Sequence, residues 1–342
     1  MKSRTIRRIL YVCYLVVATT ILLEIAVRIW GYSERYIYDP IYMPFQSGTD
    51  IPFVHKPLLV SARARSSTWF STDSLGLRSA EPNKPIGKKK TNEFRIACVG
   101  NSTTFGQGVS TGETYCFLIE TLLNQRQSMT NVRMFNFGIS GYSVKEMAAT
   151  MEHRVFQVEP DLVLACVSFD DFDTTRCGGV DRWGYNISYK RSGDIDKNSV
   201  FKLLLRPLHL AYLIRDLRYY YFEHGDDSWT RSADVLSTTL PSSYRYVRMM
   251  KAMAGQQARR LVLVTLPTSD WSGVQFKAIL AQCKRDSVEL LDLSPLGKEI
   301  PPSLYNVGRF DGHPSALVHE RIAERLVDYL LWRLPRSSSI IQ

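Results

Sequence analysis

The 342-residue sequence has no internal repeat, no Gly period and only six cysteines. None of the six stands in a CxxC or in a Cys/His spacing suited to a metal. These absences exclude a collagen-like chain and a disulfide framework, and an apolar content of 45% excludes a wholly disordered one. Neither a metal nor a cofactor is expected. Acidic residues are comparatively scarce: 33 Asp and Glu stand against 43 Lys and Arg, a net charge of +10. Such a balance suggests an acidic partner, nucleic acid or an anionic membrane, until the charge is located.

Four of the excess charges, Lys2, Arg4, Arg7 and Arg8, fall in the first eight residues. Directly after them Ile9–Val27 is apolar except for Glu24. As a helix this stretch is roughly 28 Å long, close to the hydrocarbon thickness of a bilayer. Glu24 and Arg28 can pair four residues apart, and Tyr11, Trp30, Tyr32 and Tyr36 suit the two interfaces. No small-x-small cleavage site follows in EIAVRIWGY, which favours an uncleaved anchor over a signal peptide. The expected topology is a cytoplasmic 1–8, an anchor over 9–29, and an extracytoplasmic chain beyond about Tyr32. The remaining excess charge is scattered, so no nucleic-acid partner is expected. Cys13 lies in the anchor, while Cys98 and Cys166 sit in apolar strand-like runs and read as buried thiols.

Residues 30–92 read as a connector with some short strands, ending in a solvated loop at Gly87–Lys90. From Glu93 apolar strands alternate with helices: strands over 94–100, 132–138, 162–168, 260–267 and 288–294, and helices over 111–125, 144–158, 244–257, 274–284 and 316–332. Five strands in this alternation predict a three-layer α/β/α sandwich around a parallel sheet, with functional groups at the carboxyl ends of the strands. The domain spans 93–334, leaves a tail at 335–342, and carries an insert over about 170–240. Within the insert, FKLLLRPLHLAYLIRDLRYYYF (201–222) contains Arg206, Arg215 and Arg218, which exclude a spanning helix. It reads as a packed amphipathic helix, with a second membrane contact, an oligomer surface or a lid as alternatives.

Polar residues collect at three strand or turn positions. Ser102 follows the first strand, where a serine before a helix is placed for nucleophilic attack. The motif is not GxSxG, because position 104 is Thr. NFGISGYS (136–143) offers glycines for close backbone approach. In DGHP (311–314) the Asp311 carboxylate can fold back onto the His313 ring and leave Nε2 to take a serine proton. His319, on the following helix, reads as a packed or exposed helical histidine.

Together, GNSTTFGQGV, NFGISGYS, PDLVLACVSFDDF and DGHPSALVHERIA, with DSLGLRS (73–79) ahead of them, resemble the successive blocks of the SGNH (GDSL-like) hydrolases. The resemblance covers roughly residues 73–334. It implies a flavodoxin-like sandwich and serine acyl-transfer chemistry, with Ser102 as nucleophile, Gly141 as backbone oxyanion donor, and His313 as base oriented by Asp311. Two positions depart from the family pattern. Asn101 precedes the serine where the family usually has Asp, and Asp170 stands where the family offers an Asn donor to the oxyanion. An ionised Asp170 has no proton to donate and repels an oxyanion; either burial raises its pKa so that a protonated Asp170 still donates, or Asn101 or a neighbouring group completes the hole. The reciprocal exchange suggests that Asn101 and Asp170 touch and have swapped roles.

The expectation is a membrane-anchored, extracytoplasmic ester hydrolase or O-acyltransferase acting on an acyl ester, with cell-surface glycans or lipids as plausible substrates. Its alternative is a catalytically weakened domain that binds glycan or organises an envelope assembly. The sequence leaves the oligomeric state open.

Overall fold

The computed structural model describes residues 2–126, 131–175, 177–189, 204–222, 240, 242–269 and 274–333. The tail at 335–342 and the middle of the insert lie outside these residues. The chain opens on helix α1 (Lys2–Trp30), continuous through the basic flank and the apolar run. It is long and apolar enough to cross a membrane, and its most apolar stretch buries none of its residues against the protein.

Five parallel strands form the central sheet: β5 (Glu93–Gly100), β6 (Asn131–Gly138), β7 (Leu162–Val167), β10 (Arg260–Thr265) and β11 (Glu289–Asp292). Their spatial order is β11-β10-β7-β5-β6. Numbered along the chain, that is the 2-1-3-4-5 order of a flavodoxin-like doubly wound sheet, as expected. β7 is buried along its whole length, which explains its unbroken apolar sequence. Successive residues feed opposite layers: Ala97 and Val99 join one core, Ile96 and Cys98 the other.

One layer is made by α4 (Val144–His153), α6 (Arg245–Gln256) and α7 (Val274–Arg285), through Met147, Met250 and Ile279 among others. The other contains α3 (Tyr115–Arg126) and the final helix α8 (Ala316–Leu331). Val318, Ile322, Leu326 and Leu330, four apart, give α8 a buried stripe. The helix expected over 111–125 is divided because Thr114 adopts extended backbone and its hydroxyl accepts from Phe117 N–H. That over 144–158 stops at His153, and a 3₁₀ turn over Val155–Val158 completes the segment.

The connector is more than a tether. Its short strands β1 (Tyr42–Met43), β2 (Val54–His55), β3 (Ala62–Arg63) and β4 (Trp69–Phe70) pair as two antiparallel ribbons. They build a third core, in which Tyr42, Phe53 and Phe70 pack with Phe105, Ile139 and Tyr142 of the sandwich. The insert adds a hairpin of β8 (Cys177–Val180) and β9 (Asn186–Tyr189) to this wall, then helix α5 (His209–Phe222). Lys89, in the expected solvated loop, pairs with Asp161. Cys98, Cys116, Cys166 and Cys283 are buried free thiols, and Cys13 is exposed on α1.

At the carboxyl end of the sheet two glycines face each other in register, Gly100 on β5 and Gly138 on β6. A Cβ on Gly138 would lie 2.6 Å from the Thr104 carbonyl carbon, and one on Gly100 would lie 2.8 Å from the Cys166 carbonyl oxygen. The one-turn helix α2 (Ser102–Phe105) therefore rests directly on the strand ends. Gly138→Ala is expected to cost about 1–3 kcal/mol by overpacking against backbone. Thermal denaturation should read this as a Tm lower by roughly 3–10 °C.

Candidate active site

Ser102 is the first residue of α2. Asn101 caps the helix, its side-chain oxygen accepting from Thr103 N–H at 2.9 Å. Gly106, in the left-handed region at φ 84°, closes the turn by donating to the Ser102 and Thr103 carbonyls. Arg78 fixes the following loop from outside. Its Nη1 donates to Phe105 O (2.9 Å) and Gly106 O (2.7 Å), Nη2 to Val109 O (2.7 Å), and Nε to Thr111 Oγ1 (3.1 Å). Burial lowers the pKa of this guanidinium to about 10, so it stays charged at neutral pH. The DSLGLRS segment thus supplies a clamp on the Ser102 loop, while its Asp73 carboxylate accepts from Leu75 and Leu77 N–H.

His313 stands on β13 (Asp311–Pro314), which pairs with β12 (Asn306–Gly308) just before α8. Its Nε2 lies 2.9 Å from Ser102 Oγ, and its Nδ1 lies 2.5 Å from Asp311 Oδ1. The Asp311 carboxylate also accepts from the His313 backbone N–H (3.0 Å) and from the Ser66 hydroxyl. Burial opposes ionisation of Asp311, but the His313 ring and the Ser66 hydroxyl outweigh it and hold its pKa well below the usual carboxylate range. An ionised carboxylate is only an acceptor, so Nδ1 carries the ring proton and Nε2 is left to accept from Ser102. Gln107 lies against the same ring, its amide nitrogen 3.2 Å from Nδ1, while its oxygen accepts from Ser140 Oγ at 2.9 Å. Because Nδ1 directs its proton to Asp311, the Gln107 amide group packs against the ring without donating to it, and sets the ring beside the turn that carries Gly141.

Gly141 adopts φ 90° and is exposed beside that turn. Among the described residues, neither its N–H nor that of Ser102 donates a backbone hydrogen bond. The Asn186 amide nitrogen, at the start of β9, would lie 3.7 Å from a Cβ built on Gly141.

Two expectations change. The carboxylate that Asn101 holds is Asp171, at 2.7 Å, rather than the expected Asp170. The cause is the 3₁₀ turn over Phe169–Phe172, which places Asp171 at its third position and turns its carboxylate back onto Ser168 N–H. The second Asn101 amide hydrogen goes to Ser168 Oγ at 3.3 Å. With both hydrogens committed, Asn101 is a strut between strand ends and has none left for an oxyanion. Asp170, half-buried, occupies the second position of the turn. His319 is packed: its Nδ1 accepts from Tyr115 N–H (3.2 Å), and burial lowers its pKa to about 3. Ser66, Gln107, Ser140 and Asn186 escape sequence reasoning, because nothing local marks them as neighbours of Ser102 or His313.

A doubly wound sheet that presents Ser102 at the end of β5 to the His and Asp of the β13 turn, in one hydrogen-bonded line, has the constellation used by serine hydrolases. Among the described residues no group of three His, Cys, Asp or Glu side chains could hold a metal ion. No family model and no curated protein matches the chain. Several solved structures resemble it. A catalytic mutant of an acetylxylan esterase from Geobacillus stearothermophilus is 13% identical, with 69% of this chain and 93% of that one covered at a TM-score of 0.43. A lipase/acylhydrolase from Enterococcus faecalis is 12% identical, covering 71% and 97% at 0.42. A member of the lipolytic G-D-S-L family from Veillonella parvula is 15% identical, covering 70% and 100% at 0.40.

Ser66 reaches the triad only through Asp311, so Ser66→Ala is expected to lower kcat while leaving KM nearly unchanged. Loss of a hydrogen bond to a charged group is worth about 1.5–3 kcal/mol, or roughly 10- to 100-fold in rate. Ser66→Asn, whose amide can still donate and which tolerates the left-handed φ of 65° at this position, should recover part of it. Steady-state kinetics of the two variants checks both outcomes.

Proposed function

We propose that the protein is a membrane-anchored serine ester hydrolase of the SGNH type, working outside the cytoplasm on O-acyl groups of cell-surface glycans or lipids. The line Asp311–His313–Ser102 carries this reading: 2.5 Å between carboxylate and ring, then 2.9 Å between ring and hydroxyl. His313 Nε2 takes the Ser102 proton as Oγ attacks the acyl carbon. Asp311 keeps the ring oriented and offsets the positive charge that forms on it. The protonated ring then donates to the leaving alkoxide, and the alcohol departs. Water, deprotonated by the same nitrogen, attacks the acyl-enzyme; the carboxylic acid leaves and Ser102 regains its proton.

The tetrahedral intermediates carry an oxyanion that needs preorganised donors. The N–H groups of Ser102 and Gly141 supply two. Where the SGNH pattern has Asn, this chain has Asp170, and we infer that Asn186 provides the side-chain donor instead. Three features support that assignment: its amide nitrogen lies over Gly141, its amide makes no side-chain hydrogen bond among the described residues, and Asn101 is fully engaged. The anchor reading is supported by the basic flank, the length of α1 and its unburied apolar surface. The positive-inside rule directs the sandwich outward.

Full-length protein in detergent should hydrolyse short p-nitrophenyl acyl esters and be labelled covalently by a phosphonate serine probe, and Ser102→Ala should abolish both. Absence of turnover and of labelling in the unsubstituted protein would refute the hydrolase and favour a binding role. Removing one oxyanion donor costs about 2.7–4 kcal/mol, so Asn186→Ala should lower kcat by about a hundredfold or more. Asp170→Asn, by contrast, should leave the rate nearly unchanged. A large gain in Asp170→Asn with a silent Asn186→Ala would reverse the assignment.

A further inference from the structure

The segment 204–222 of the insert is fastened to α1 at a defined height. Glu24 Oε1 accepts from the His209 N–H at 3.0 Å and Oε2 from the Leu210 N–H at 2.7 Å, so one side chain of α1 caps the start of α5. Arg28 pairs with Glu24 and donates to Pro207 O at 2.8 Å. Further on, Asp216 of α5 accepts from Tyr32 OH (2.9 Å), Tyr36 OH (2.8 Å) and Arg35 (3.3 Å). Arg35 also donates to Phe310 O at 2.5 Å, one residue before Asp311. Glu24 lies three residues, roughly 4.5 Å, inside the end of the apolar run at Val27. Residues 207–210 are therefore held at a level that is still apolar on α1.

The exposed surface of this segment is rich in large apolar side chains. Leu204 and Leu208 are exposed, as are Ile214 and Leu217 of α5. Arg206 faces inward, pairing with Asp181 at 2.7 Å with its guanidinium stacked on Tyr185 at 3.6 Å, while Arg215 is half exposed and pairs with Asp216 at 2.7 Å. Exposed apolar side chains with an arginine at their margin are the pattern of a helix lying in a membrane interface. Here leucine is presented outward beside the end of α1, where Val27 is buried against the protein but Ile25 and Ile29 are exposed.

We propose that residues 204–217 form a lipid-facing wedge that enters the bilayer interface beside α1, as amphipathic helices do with their apolar face. The proposal rests on the anchor reading of α1. It commits to lipid as the occupant because the apolar surface is continuous with that helix, at a height a water-soluble partner does not reach. Through Arg35 and Phe310 the wedge is tied to the turn that bears Asp311 and His313, so the site has a fixed station relative to the interface.

Full-length protein, with Cys13 and Cys177 replaced by Ser, is reconstituted in phosphatidylcholine/phosphatidylglycerol vesicles. An environment-sensitive fluorophore is placed on Leu208→Cys, on Val16→Cys in α1, or on Met249→Cys, an exposed site on α6. For position 208 we expect strong quenching by lipids spin-labelled near the headgroup, and iodide quenching about threefold or more below that at 249. Iodide quenching at 208 equal to that at 249, with 16 protected, would overturn the wedge and leave the anchor standing. Protection of 208 from both quenchers would mean a protein contact and would also overturn it. Access of iodide to position 16 would sink the anchor and the wedge together.

Discussion

The site depends on empty space at two facing strand ends. Because Gly100 and Gly138 lack side chains, the single turn of α2 settles onto the sheet, and Ser102 emerges at its rim with its first-turn N–H undonated. A one-turn helix has little stability of its own, since nucleation is the costly part of helix formation. Its geometry is imposed from outside. Arg78 gathers the carbonyls that follow it, Asn136 donates to Thr104 O at 2.7 Å, and the Tyr115 hydroxyl bonds Thr104 Oγ1 at 2.7 Å. The position of Ser102 is thus set by the sheet, the connector and helix α3 together.

The sandwich supplies the serine and the loop before its last helix supplies the histidine, but the surroundings come from elsewhere. Ser66 of the connector reaches Asp311, and Asn186 of the insert reaches Gly141. Tyr38 links these two segments, its hydroxyl meeting Asn186 O at 3.4 Å and Arg65 at 3.4 Å. Such additions allow one sheet topology to serve different substrates, because they shape the approach to the serine without disturbing its support. In the proposed enzyme, specificity would reside in the connector and insert more than in the sandwich.

What could be read from the sequence was what is encoded locally. The unbroken apolar run of β7, the four-residue spacing in α8 and the glycines at the strand ends each announce their structure within a short window. So does Asp311-Gly-His313, where chain geometry alone brings carboxylate to ring. The contacts of Ser66 with Asp311 and Gln107 with His313 join residues more than 200 positions apart, and no periodicity reports such pairs. The shift from Asp170 to Asp171 as partner of Asn101 is a one-residue error of the same origin. It is decided by the pitch of a 3₁₀ turn, and motif alignment does not contain that pitch.

Glu24 has a consequence for the order in which the protein is made. The two N–H groups that satisfy its carboxylate belong to residues about 185 positions later in the chain. During synthesis α1 exists long before α5, so until the insert emerges and folds back the helix carries a carboxylate with only Arg28 beside it. In the proposed topology, completion of the domain that follows α1 would therefore be reported directly to that helix. A chain truncated or misfolded before His209 would keep a Glu24 carboxylate paired only with Arg28, a feature by which quality control could tell it from the finished protein.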